Sequence, residues 1–99
     1  VKKEERYVQS LLNNVHEMRA RQFNGVSSAT DDLLDLADAI GKAGLTDRQK
    51  EVLRLLYIED LTQAEAGERI GSSRVNITNI NDVAIRKIAS IYRKWKEAE

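Results

Sequence analysis

The residues best equipped for chemistry lie between Ser73 and Lys87. Arg74 carries a planar guanidinium with several donors, which suits a guanine edge or a phosphate. Asn79 presents a side-chain amide that can bond adenine through two hydrogen bonds at once. Val75 and Thr78 offer methyl groups able to contact a thymine methyl. Ser73, Asn76 and the first backbone N–H groups of a helix starting here suit phosphate oxygens. Arg86 and Lys87 add cations further along. The chemistry implied is recognition of double-stranded DNA, with Arg74, Val75, Thr78 and Asn79 facing bases and the others gripping the backbone.

Other chemistries find less support. The 99 residues include no cysteine and one histidine, His16. That excludes a disulfide scaffold, a thiolate nucleophile and a Cys-ligated metal, and it leaves His16 as an ordinary solvent-facing or partly buried side chain. No nucleophile–base pair, metal constellation or phosphate loop is readable, so neither enzymatic activity nor a cofactor is expected. Sixteen Lys and Arg balance sixteen Asp and Glu, so net charge names no partner. Locally the balance breaks. From Ser72 to Lys96 there are six cations against one anion, Asp82, while Glu59 to Glu68 holds four anions and no cation. A basic segment beside an acidic one suits a protein with one DNA-facing side.

The elements that must position these residues are helical. There is no proline, glycine is scarce, and Leu, Ala, Ile, Glu and Arg are abundant. Val8, Leu11, Leu12, Val15 and Met18 form a helical stripe that predicts a first helix from about Lys2 to Phe23, with Arg19 and Arg21 near its end and a stop at Asn24-Gly25. Residues 26–29 read as a loop, and Thr30 as the cap of a second helix with Asp31 and Asp32 in its first turn. Leu33, Leu36, Ala37 and Ile40 form its apolar face, and Gly41 or Gly44 ends it. Thr46 with Gln49 predicts a capping box for a third helix, buried through Val52, Leu53, Leu55 and Leu56. Thr62 with Glu65 predicts the same device for a short fourth helix ending at Ile70-Gly71, with Leu61 stapled onto Ala66. Ser73 can cap a fifth, long helix reaching about Trp95. The expected fold is all-α with five helices: an N-terminal helical pair (1–44), then a trihelical unit with a long last helix (45–99).

The fourth and fifth helices with their glycine turn have the layout of a helix-turn-helix. Gly67, beside Ala66, meets the need for a small residue where the two helices cross. Gly71 tolerates the positive φ of the turn. Ile77 and Ile80 dock the second helix, with Ile70 facing them.

Residues 45–88 resemble region 4 of bacterial sigma factors. The opening Leu45-Thr46-Asp47-Arg48-Gln49-Lys50-Glu51-Val52-Leu53, the segment Leu61 to Gly71, and the close formed by Arg74, Ile77, Ile80, Ala84 and Arg86-Lys87-Ile88 together carry the resemblance. It implies that the second helix of the motif enters the major groove, with Arg74, Val75, Thr78 and Asn79 facing DNA. Primary sigma factors carry an acidic residue at the position of Val75, an arginine at Thr78 and a glutamine at Asn79. The resemblance therefore implies a base sequence other than the usual promoter hexamer. Ser72 also replaces an apolar turn residue. In this length there is no room for the regions that melt the promoter, so the similarity is to small sigma-like regulators, many of them encoded by phages and integrated elements.

The expected function is a sequence-specific DNA-binding transcription regulator. The alternative is a module that contacts RNA polymerase or a regulatory partner with weak DNA reading. Ile85, Ile88, Tyr92 and Trp95 lie at helical spacing and leave two options open: packing on the N-terminal helix of the same chain, or a homodimer seam. The charged start, Val1 to Glu5, is unlike a signal peptide, and no apolar run approaches the roughly 20 residues of a membrane span, so a cytoplasmic protein with no membrane partner is expected.

Overall fold

Thr46 and Thr62 start two helices in the same way. Each hydroxyl accepts the N–H of the residue three positions on, Gln49 or Glu65, at 3.1 Å. The Gln49 and Glu65 side chains reach back to the threonine N–H at 3.0 and 2.9 Å. Two otherwise unsatisfied donors are thereby paired at each helix start. The computed structural model describes residues 3–15, 17 and 27–98. Among these it has five helices and no strand: α1 (Lys3–Asn13), α2 (Ser27–Lys42), α3 (Asp47–Leu53, continuing through a π-helical turn, Arg54–Ile58), α4 (Gln63–Ile70) and α5 (Arg74–Ala98).

The N-terminal expectations need correction. α1 spans Lys3–Asn13 and is followed by a turn at Asn14, after which Val15 and Glu17 are again helical; the expected end near Phe23 lies outside the described residues. At Asn14 the ladder tightens: its backbone N–H is shared between the Ser10 and Leu11 carbonyls, both at 3.2 Å, and its side chain donates to the same Ser10 carbonyl at 2.8 Å. His16, Met18, Arg19, Arg21 and Asn24-Gly25 lie outside the described residues. α2 begins at Ser27, so residues 27–29 are helix rather than loop. Thr30 is an internal residue rather than the cap, and Asp31 and Asp32 fall beyond the first turn. Among the described side chains of α2, Leu36 and Ala39 are buried, whereas Ala37 is exposed. Gly44, in the left-handed region (φ 68°), follows the helix end.

Two apolar clusters are strung along α5. The larger joins Val8, Leu11, Leu12 and Val15 to Leu36, Ala39, Leu45 and Leu53 and to Ala84, Ile85, Ile88, Ala89 and Ile91, with Tyr92 and Trp95 at its margin. The stripe Ile85, Ile88, Tyr92, Trp95 is thus packed within its own chain and does not stand open as a dimer seam. The smaller cluster holds Val52, Leu55, Leu56, Ala66 and Ile77, with Leu61, Ile70 and Ile80 packed against it. Tyr57, on the π-helical turn, touches both clusters. Its hydroxyl donates to Asn81 Oδ1 (2.9 Å) and accepts from Gln9 Nε2 (3.1 Å). Asn81 is the one buried polar residue among those described, at 5% exposure, and this chain of bonds satisfies it.

Candidate nucleic-acid interface

α4 and α5 are set by the turn between them. Gly71 takes φ 69°, and its N–H bonds the Gly67 carbonyl. Ser72 N–H bonds the same carbonyl at 2.7 Å. Gly67 is required, but for a reason other than the helix crossing. A Cβ there would fall well inside contact distance of the Ser72 carbonyl oxygen, so it is the folded-back turn that excludes a side chain.

α5 then starts at Arg74. Ser73 Oγ accepts the Asn76 N–H at 3.0 Å, which is the capping bond expected of it. The Asn76 side chain donates to Ser72 Oγ at 2.6 Å and so braces the turn. Ile77, fully buried, pins this part of the helix to the smaller cluster. At about 100° per residue, Val75, Asn79, Asp82 and Arg86 fall on the opposite arc, and all four are exposed. Val75 is 64% exposed, a large apolar side chain left in solvent. Arg74 is exposed at the tip of the helix, and no ion pair holds it among the described residues.

Thr78 and Lys87 sit differently. The Thr78 hydroxyl lies 2.5 Å from Gln63 Oε1 and 3.1 Å from the Arg74 carbonyl, so its polar group is tied to α4 and only its methyl group remains for an apolar contact. Lys87 is half-buried, and its Nζ donates to Gln49 Oε1 at 3.1 Å, the same oxygen that caps α3. The structure therefore brings Ser73, Arg74, Val75, Asn76 and Asn79 together at one end of α5. It places Arg86 on the same arc further along and leaves Lys87 in the seam with α3.

Gln63 is the residue that sequence reading missed. As the first residue of α4 it holds Thr78 across the motif, while its amide nitrogen stays available at the helix start. Only the fold reveals this pairing, because the two residues are 15 apart in sequence. Electrostatically, the Glu65 carboxyl is held below its ordinary value by the hydrogen bond from the Thr62 backbone, which favours its charged form. Among the described residues, no group of His, Asp and Glu side chains could hold a metal ion, and no helix is long and apolar enough to cross a membrane.

Comparison with known proteins agrees with this geometry. Residues 43–90 match the family model of sigma-70, region 4. The chain is 36% identical over 55 residues to the RNA polymerase sigma factor SigO of Bacillus subtilis (strain 168), covering 56% of this chain. It spans 31% of the length of that relative. No solved structure matches the chain significantly. The matched segment takes in the capped α3–α4–α5 arrangement as far as Ser90, and over these residues the chain is a sigma region 4-like helix-turn-helix.

Proposed function

We propose that this protein is a sequence-specific, double-stranded DNA-binding transcription regulator. The N-terminal turns of α5 enter the major groove. The observation that carries this reading is the pairing of a buried Ile77 with an exposed Arg74, Val75 and Asn79 on one short stretch of helix. The scaffold holds the stretch rigidly while its outward groups stay free. Arg74 and Asn79 read base edges, and Val75 and the Thr78 methyl group touch thymine methyls. Ser73, Asn76, Arg86 and the open N–H groups at the start of α5 position the helix on phosphates. Gln63 fixes Thr78, and Lys87 fixes α5 against α3. Residues 45–99 form the DNA-binding part, and α1 and α2 buttress α5.

Contact with RNA polymerase is a second reading, favoured by one observation. An apolar groove of about 360 Å³ lies between α1, α2 and the π-helical turn, lined by Leu12, Val15, Leu33, Leu36, Leu53 and Ile58. Ile58 is 42% exposed at its edge. A region 4-like protein that is bound to both DNA and polymerase would use the two surfaces together.

The test is a selection of duplexes from a random library, run on the wild type and on Arg74→Ala. A recovered motif that Arg74→Ala relaxes at one position, with a loss of about 1–3 kcal/mol, establishes base reading by Arg74. No enrichment with the wild type transfers the function to the polymerase-contacting groove.

A further inference from the structure

The sigma region 4-like segment does not include α1, yet α1 brings a cation beside the exposed arc of α5. α1 runs along the C-terminal half of α5. Glu4 Oε1 accepts from Arg93 Nε at 3.3 Å at one end, and Gln9 reaches Asn81 through the Tyr57 hydroxyl at the other. Between these ties lies a cleft of about 480 Å³ lined by Glu5, Arg6, Gln9, Asp82, Ile85 and Arg86. Arg6 comes from α1 and Arg86 from α5, and both side chains are exposed.

Two carboxylates share the cleft, and arginine pairs readily with carboxylate. Neither Arg6 nor Arg86 does so among the described residues. Their donors are left open toward solvent. Arg86 also lies on the arc of Val75 and Asn79, so the cleft continues the surface described above.

We propose that Arg6 and Arg86 clamp one backbone phosphate of the bound duplex, a contact that α1 adds to the helix-turn-helix. This inference rests on the DNA-binding reading. Glu5 and Asp82 cancel the charge of the two arginines at a distance, so the cleft adds little to long-range attraction. It acts at short range, once α5 is seated, and discriminates between backbone paths rather than drawing DNA in. Bidentate guanidinium groups suit a tetrahedral phosphate in such a gap.

The experiment measures affinity for a selected duplex across a salt series with the wild type, Arg6→Ala, Arg6→Lys and Glu5→Gln. Thermal melts of each variant confirm folding, which exposed side chains leave intact. Arg6→Ala is expected to weaken binding by about tenfold near 0.1 M salt and to reduce the slope of log affinity on log salt by about 1, with base preference unchanged. Arg6→Lys keeps the slope and recovers part of the affinity. Glu5→Gln tightens binding several-fold. If wild type binds the duplex and Arg6→Ala has the same slope and affinity, no phosphate sits in the cleft and the proposal is overturned. A change of base preference in Arg6→Ala overturns it as well, because α1 would then be acting through the pose of α5. If wild type binds no duplex at all, the DNA-binding reading itself has failed.

Discussion

From Ala84 to Ile91, the α5 residues Ala84, Ile85, Ile88, Ala89 and Ile91 are buried in the cluster shared with α1 and α2. From Arg74 to Val83, Ile77 and Asn81 are the only buried residues, and Val75, Asn76, Asn79, Asp82 and Val83 face solvent. One helix therefore has a wide apolar arc at one end and a narrow one at the other. A wide arc is covered by helices on several sides and anchors the element. A narrow arc attaches the helix by one edge and leaves the remainder free to meet a ligand. The division of labour is written in the width of the apolar stripe rather than in any break of the helix.

The largest effects come from breaking either anchor. Ile88→Ala leaves a cavity in the larger cluster and Ile77→Ala one in the smaller, each costing about 2–5 kcal/mol in chemical denaturation. Hydrogen exchange should separate them: Ile88→Ala loosens α1 first and Ile77→Ala loosens α4 first. Equal loss of protection everywhere in both variants would mean that the two clusters behave as one. Gly67→Ala comes next. Alanine is the better helix former by roughly 1 kcal/mol, yet its methyl group collides with the Ser72 carbonyl, and a net loss of about 1–3 kcal/mol is expected. A stabilised Gly67→Ala variant would show that the turn can yield.

Tyr57→Phe sharpens the comparison, because it removes the hydroxyl that joins Gln9 of α1 to Asn81 in the narrow-arc part of α5. Asn81 Oδ1 loses its donor inside the protein, while Gln9 keeps its bond to Asn13 Oδ1. A loss of about 1 kcal/mol is expected, with wider separation between the two exchange regimes. The smallest effect is one of pH. The Glu65 carboxyl lies below its ordinary value of 4.5, so its contribution is complete above that pH and is lost as pH falls through the lowered folded value. Glu4, lowered by its own backbone N–H and then by Arg93, adds the same sign at the other end of the molecule. Glu65→Gln keeps the capping geometry, as Gln49 does in α3. It should flatten the acid limb of melting temperature against pH without shifting the neutral value by much.

What the sequence made legible was local. Both capping boxes lie within four residues, so Thr46 with Gln49 and Thr62 with Glu65 could be read directly, as could the turn at Gly71. The all-α fold and its five helices followed from stripes and caps of that kind. The turn at Asn14 was not legible, because the apolar stripe runs straight through it from Leu12 to Val15 and the shared bond of the Asn14 N–H has no counterpart in the residue pattern. The π-helical turn left no signal in Arg54–Ile58, and with it the position of Tyr57 was hidden. The exposed residues of the candidate interface were readable as types. Their engagement was not, since Thr78 meets Gln63 and Lys87 meets Gln49 across separations of 15 and 38 residues.

α5 has 25 residues and contains neither glycine nor proline. At about 1.5 Å per residue it is about 37 Å long, close to the 40 Å longest dimension of the molecule. It is therefore a strut with no hinge. Whatever is held near Trp95 stands a fixed distance from whatever is held at Arg74, and a rotation at one end is delivered undiminished to the other. Spacing between a groove in DNA and a body bound at the far end would then be measured by the helix itself, in whole turns.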